Sequence, residues 1–312
     1  MSQTAQTLEA LAGDGYARSL DPRTLALLIE SSSLSEQWSD STCLSKSTGG
    51  MEEWAKDHHL NPNSCAWYHG TWQYLRLLDM VAVPHWHRDF YNRALGDFLR
   101  RKPHANVLIS AAADYGMLAS LHEAMQLADA HPAIVVYDIC ETPLKSCRWY
   151  AEKHGLDIST KCENLLAGNL AEAPFDLIVT DEFLTVLKSA YKPQITQRWK
   201  ELLKPGGSVV TVAMMGGETT PELRRSYADR ARGTIQNSNG NFLPDYRNGD
   251  KSHILARIQA FADFHTRHMI SNEAELRELL SLFDHVYCQR ITTPGECVNP
   301  TDSFQIVVSL RE

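Results

Sequence analysis

The sequence predicts an α/β fold, a mostly parallel, doubly wound sheet with a helical cap in front of it. Three observations carry this reading. Short strand-like runs at residues 107–109, 134–137, 161–164, 175–184 and 208–212 alternate with stretches of helical periodicity, the pattern left by parallel strands joined through helices. The first run breaks at once into small residues, Ser110, Ala111, Ala112 and Ala113. The last two runs, 285–291 and 304–310, are joined by a loop with Pro294, Gly295 and Pro300 and are most simply antiparallel.

Composition bounds the function. The chain has 312 residues, 43% hydrophobic and 22% charged, which suits a globular protein of one large domain or a domain with a substantial extension. A formal charge of -8 argues against a long nucleic-acid footprint. No apolar run approaches the roughly 20 residues that span a bilayer. The N-terminus lacks the charged-then-apolar order of a signal peptide. Seven scattered cysteines with no C-x-x-C pair read as reduced thiols in the cytoplasm, with no structural metal site.

Taken in order, residues 1–103 read as a helical cap without a strand. Leu8 and Leu11, then Leu25, Leu27, Leu28 and Ile29, suggest two short amphipathic helices, and the Ser/Thr/Gly-rich residues 31–50 read as a loop. Five of the seven tryptophans lie in this third. The plain reading is that their rings fill the core of the cap; the sharper one is that Tyr68, Trp72 and Arg76, four apart, line a substrate pocket. From 104 onward the chain is the α/β domain. Met117, Leu118, Leu121 and Met125 share a helix face, and the second strand ends in the carboxylate of Asp138. A turn that lets a ligand approach the backbone, followed by an acid able to accept hydrogen bonds from a ribose diol, points to a nucleoside-bearing cofactor. The fourth strand closes on Asp181 and Glu182, at the end of an open sheet where ligands bind. Residues 215–270 break the alternation as a helical insertion, rich in arginine at 224, 225, 230 and 232.

This ordered set resembles the class I S-adenosylmethionine-dependent methyltransferases over residues 104–312. It comprises the small-residue turn, Asp138, Gly168-Asn169-Leu170, residues 175–184 and Leu202-Leu203-Lys204-Pro205-Gly206-Gly207. The resemblance implies a Rossmann-like, seven-stranded sheet whose closing strand is antiparallel. The first motif departs from the family's acid and Gly-x-Gly-x-Gly: Ile109 stands where the acid would be, and Ala111 and Ala113 replace the first two glycines. Alanine serves there if the positions need closeness but not positive φ. Asp114 either replaces the missing acid toward the cofactor's amino group or simply caps the following helix.

Carried over residue by residue, the resemblance implies S-adenosyl-L-methionine as cofactor, held by Asp138 at the ribose, Asn169 and Leu170 at the adenine, and Ser110, Ala111, Ala113 and Asp114 at the methionine part, with Thr180 bordering the methyl group. Asp181 and Tyr68 are the expected catalytic residues; Trp72, Arg76 and Glu182 are the expected substrate contacts. His69, His85 and His87 are further base candidates. The expected function is methylation of a small amine or amino-acid-like acceptor at N or S, without nucleic acid or membrane as partner; a homodimer is left open. The alternatives are a non-catalytic cofactor-binding subunit and an NAD-dependent oxidoreductase, the latter disfavoured by the lack of G-x-G-x-x-G.

Overall fold

The computed structural model describes residues 22–40, 65–78, 80–81, 83–167, 170–237, 251–292 and 302–312. It opens on helix α1 (Pro22–Asp40), which corrects the expected loop over residues 31–40. Leu25 and Leu28 face the core. Ser31, Ser32 and Ser39 donate their hydroxyls to the carbonyls three residues earlier, at 3.2, 2.8 and 2.9 Å. Serines that bond back onto the preceding turn are compatible with a helix, although composition alone reads them as loop. Helix α2 (His69–Leu77), a 3-10 turn (Pro84–His87) and α3 (Arg88–Arg101) follow, with no strand among the described residues before 106. The expectations at Leu8, Leu11, residues 41–50 and Asn169 lie outside the described residues.

The sheet then forms as β1 (Asn106–Ser110), β2 (Ala133–Asp138), β3 (Ile158–Cys162), β4 (Phe175–Val179), β5 (Leu203–Met214), β6 (His285–Thr292) and β7 (Asp302–Ser309), in the spatial order β3-β2-β1-β4-β5-β7-β6. Strands β1 to β5 pair in parallel, and β7 is antiparallel to both β5 and β6. The crossovers are α4 (Gly116–Ala128), α5 (Glu141–His154), a short α6 (Phe183–Val186) with α7 (Lys192–Leu202), and α10 (Glu273–Leu280). This is the Rossmann-like α/β sheet that the sequence predicts. Because the chain runs β1-β2-β3 to one side and returns to β4 on the other, the strand order reverses between β1 and β4, and a crevice opens at their carboxyl ends.

Two strands differ from expectation. β3 lies at Ile158–Cys162 rather than 161–164, paired in register so that Cys162 stands beside Asp138. β4 stops at Val179, leaving Thr180, Asp181 and Glu182 beyond its end.

Alternating strand residues feed two cores: Val107 and Ile109 face one hydrophobic cluster, Leu108 the other. The first cluster also takes in Tyr74, Leu75 and Tyr91 of the cap. It includes Tyr227 and Phe261 as well, from helices α8 (Pro221–Asn237) and α9 (Lys251–Phe264) of the insertion. Tyr227 Oη donates to the Met80 carbonyl at 3.1 Å, and Arg257 pairs with Glu36 at 3.4 Å. Cap and insertion therefore close over the same end of the sheet. No helix among the described residues is long and apolar enough to cross a membrane.

On the other face, fully buried Trp199 of α7 donates Nε1–H to Ser110 Oγ at 3.0 Å, fixing the end of β1. Trp199→Ala removes both the ring and this bond. It should lower the unfolding free energy by about 3–5 kcal/mol in a urea titration; a loss under about 1 kcal/mol would contradict this packing role.

Candidate functional site

The site is built from the turn after β1. Ala111 takes φ +67°, in the left-handed region. This corrects the premise that the alanines stand where no positive φ is needed; an L-residue there carries a local strain of about 1–2 kcal/mol. The turn is held at both ends. Ala111 N–H donates to the Tyr137 carbonyl at 2.9 Å, and Ala112 N–H to Asp138 Oδ2 at 2.9 Å. Asp138 Oδ1 accepts from Cys140 N–H at 2.7 Å. Burial raises the Asp138 carboxyl to about 7, while these backbone donors pull it down. Each carboxylate oxygen has lone-pair capacity for a further hydrogen bond beyond the one it already accepts.

Asp114 does something else. Its Oδ1 caps the start of α4 at Gly116 N–H, 2.6 Å away. Its Oδ2 accepts from Gln73 Nε2 at 2.9 Å and from Arg76 Nη1, in an ion pair with side chains 3% and 6% exposed. A Cβ on Gly116 would come within 2.9 Å of Asp114 Oδ1, so glycine is what lets this pair sit against the helix. Arg76, expected at the substrate, lines neither cavity described below; its charge is taken up by Asp114.

Two cavities meet at the carboxyl ends of β1, β2 and β4. The larger, about 190 Å³, is lined by Ala111, Ala113, Asp114, Asp138, Asp181 and Glu182 together with Tyr68, His69 and Trp72. The smaller, about 70 Å³, lies under α8 and α9 and includes Met80, Met214, Tyr227, Phe261, Arg224 and Arg267. Tyr68, Trp72, Glu182, Val186 and His265 line both and form their shared wall. Within it Tyr68 stacks on Trp72 with ring centroids 5.2 Å apart and on Phe261 at 5.7 Å, and Phe261 stacks on His265 at 4.6 Å. Burial raises the Tyr68 phenol and lowers the His265 imidazole to about 3, so both are neutral. His69 is also lowered by burial, to about 4. Its Nδ1 lies 3.0 Å from the Ala113 carbonyl, which only accepts, so Nδ1 carries the proton.

The two acids after β4 differ. Asp181 Oδ1 accepts from Tyr91 Oη at 2.5 Å and lines the larger cavity only. Burial and the neighbouring Glu182 charge push it well above the usual carboxylate range. Glu182 sits at φ +54° and lines both cavities. Its Oε2 accepts from Met214 N–H at 2.9 Å and from Thr185 Oγ1, whereas Oε1 has no partner among the described residues. Burial raises Glu182 to about 7, against these donors and the charge of Arg267.

Ser110, Thr180 and Leu170 are buried behind the wall rather than lining it; Ser110 serves Trp199, and the Thr180 carbonyl accepts from Tyr91 Oη at 3.2 Å. The loop that reaches the cavity after β3 is Glu163, Asn164, Leu165 and Leu166, not Leu170. The resemblance places that contact at Asn169 and Leu170 instead, of which Asn169 lies outside the described residues. His87, a base candidate in the sequence, is buried, and among the described residues neither ring nitrogen has a hydrogen-bond partner. Sequence reasoning also passed over Cys65, Cys140, His265 and Arg267. For His265 the spacing of four from Phe261 was a usable signal; for Arg267 none existed. Among the described residues no cluster of ligating side chains could hold a metal ion.

Residues 120–207, from within α4 to within β5, match the model of a family described as a methyltransferase domain. No curated protein matches the chain. Among solved structures, the N-methyltransferase NodS from Bradyrhizobium japonicum, in complex with S-adenosyl-L-homocysteine, is 14% identical with a TM-score of 0.45, covering 79% of this chain and 99% of its own. Magnesium protoporphyrin IX methyltransferase from Synechocystis, with the same product bound, is 11% identical with a TM-score of 0.44, covering 77% and 92%. TehB from Haemophilus influenzae is 15% identical with a TM-score of 0.44, covering 81% and 72%.

Two outcomes are expected from this geometry. Asp114→Ala strands the buried Arg76 charge and should cost about 3–5 kcal/mol in urea unfolding, whereas the double change Asp114→Leu with Arg76→Met should restore most of it; equal losses in both would contradict the pairing. For Asp138, the raised carboxyl means that the folded state holds the proton more tightly than the unfolded chain. Its contribution to stability therefore declines as pH rises from about 4 through about 7. A ligand diol that uses the ionised carboxylate should bind more weakly below about pH 7, and Asp138→Asn should flatten that dependence in calorimetry.

Proposed function

We propose that this chain, which carries a class I S-adenosylmethionine-dependent methyltransferase domain and uses S-adenosylmethionine as its cofactor, methylates a small amine or amino-acid-like acceptor held in the smaller cavity. The observation that carries this reading is the shared wall. A cofactor compartment and an acceptor compartment must meet where the methyl group crosses, and here they meet at Tyr68, Trp72, Glu182, Val186 and His265.

The residues of the larger cavity suit the cofactor. The turn at Ala111, Ala112 and Ala113 offers backbone with only methyl side chains, so a ligand can come close. Asp138 would accept from the ribose hydroxyls, and Asn164, Leu165 and Leu166 would flank the base. The bound cofactor supplies a methyl group already activated on a sulfonium, displaced in line. What remains for the protein is positioning and exclusion of water, worth up to about 7–11 kcal/mol. The stacked faces of Tyr68 and Trp72 carry the partial negative charge that favours a cation beside them.

An acceptor that enters as an ammonium would first give its proton to a carboxylate, and the freed nitrogen lone pair would then take the methyl group as the sulfonium becomes a thioether. Glu182 is better placed for this than Asp181, because it lines both cavities and leaves Oε1 without a hydrogen-bond partner among the described residues. A carboxyl raised to about 7 is also matched to proton transfer near neutral pH. Asp181, held by Tyr91 and pushed well above the usual carboxylate range by burial and the Glu182 charge, is the member of the pair that keeps its proton.

Calorimetric titration should give binding of S-adenosylmethionine and S-adenosylhomocysteine and none of NAD. With an accepted amine, Glu182→Gln should lower kcat by about 10²–10⁴-fold while cofactor affinity stays within about twofold. Turnover close to wild type in that variant would remove Glu182 from the proton step. Cofactor binding without turnover on any amine or amino acid would favour the non-catalytic alternative.

A further inference from the structure

The smaller cavity contains an electrostatic arrangement that the methyl transfer itself does not require. Arg267 and Glu182 line it together, opposite in charge, yet no ion pair within 4 Å joins them among the described residues. Among the described residues the Arg267 guanidinium meets only the Met214 thioether, Nη1 donating to Sδ at 3.7 Å. A thioether sulfur is a weak acceptor, so most of the guanidinium fork is without a good partner. Met214 also donates its backbone N–H to Glu182 Oε2 at 2.9 Å, and so stands between the two charges.

The other arginine of the cavity is different. Arg224 Nη1 donates to the carbonyls of Ala262 and Asp263 at 2.9 and 2.7 Å, and its Nη2 to Thr266 Oγ1 at 2.7 Å, so it ties down the end of α9. The segment that carries Arg267 is pinned on both sides. Arg267 N–H donates to Thr219 Oγ1 at 2.9 Å, His268 N–H to the Thr185 carbonyl at 2.7 Å, and Ile270 N–H to the Met214 carbonyl at 2.9 Å. The guanidinium is thus presented from a fixed backbone. The remaining walls are mostly apolar or aromatic, with Trp72, Met80, Val81, Leu223, Tyr227 and Phe261, although Thr185, Thr219 and the neutral His265 also reach the cavity.

Two opposite charges that line one small cavity without closing on each other as an ion pair leave room for a dipolar ligand between them. The geometry points to a zwitterionic amino acid with an apolar or aromatic side chain as the acceptor, its carboxylate held by Arg267 and its ammonium by Glu182. This rests on the proposed function and narrows it to a substrate class and a specificity-determining arginine. Guanidinium and carboxylate match as a planar fork, and hydrogen bonds to charged groups are the strong ones. An amine without a carboxylate would leave Arg267 unpaired in a half-buried site.

The test is calorimetry on the full chain saturated with S-adenosylhomocysteine, titrated with L-phenylalanine, L-methionine and the decarboxylated analogue phenethylamine. At least one of the two amino acids should bind, and phenethylamine about tenfold or more weaker than phenylalanine. Arg267→Met should weaken the amino acid about tenfold while leaving phenethylamine and S-adenosylhomocysteine within about twofold, and Arg267→Lys should recover part of the loss. Phenethylamine binding as tightly as phenylalanine, or an equal effect of Arg267→Met on both, would overturn the assignment. So would absence of binding by either amino acid to a chain that binds S-adenosylhomocysteine normally, a result that leaves the proposed function standing. Failure to bind S-adenosylhomocysteine would instead bring down the reading of the larger cavity, and this inference with it.

Discussion

The clamp between Asp138 and the turn after β1 is the constraint from which the site follows. A left-handed alanine at 111 costs local strain, and the hydrogen bonds from Ala112 and Cys140 to one carboxylate hold the backbone in that shape. The same bonds fix the acid at the tip of β2 beside the reversal of strand order. Backbone that a ligand can approach and a carboxylate that still accepts hydrogen bonds are therefore one construction. Strain of this kind persists only where the surroundings over-determine it, and Trp199, bonded to Ser110 at the end of β1, supplies part of that support.

Around this point the carboxylates are divided by environment. Asp114 is neutralised by Arg76 and closes the start of α4, which makes it architecture. Asp138 is buried without a cation, so its carboxyl rises to about 7 and it stays sensitive to what binds beside it. Asp181 and Glu182 are adjacent and both raised by burial, Asp181 further by the Glu182 charge; Tyr91 takes hold of the first and leaves the second at the junction of the two cavities. Four acids of similar sequence context thus come to different uses through the partners the fold gives them.

The sheet was legible because apolar periodicity and turn residues are local signals, and β1, β2 and the antiparallel closing pair lie where those signals put them. Asp138 was legible for the same reason, as the acid that ends an apolar run. The failures have physical causes too. The serines of α1 read as a loop because composition does not reveal hydroxyls bonding back to carbonyls three residues earlier. The β3 segment has intermediate burial and little periodicity, so its ends leave no sharp local signal, and the cavity border at residues 163–166 depends on where it stops. The ion pair of Arg76 and Asp114 spans 38 positions of sequence, and the approach of Arg267 to the wall depends on how the insertion folds back over the sheet; neither leaves a local trace.

The most direct test of the account is amide hydrogen exchange with and without S-adenosyl-L-homocysteine, read by peptide. The structure predicts that the ligand protects the turn at residues 110–116, the tip of β2 at 138–142 and the loop at 163–167 together, because these three segments wall one cavity. Tight binding with protection confined to other parts of the sheet would contradict the placement of the cofactor and everything built on it.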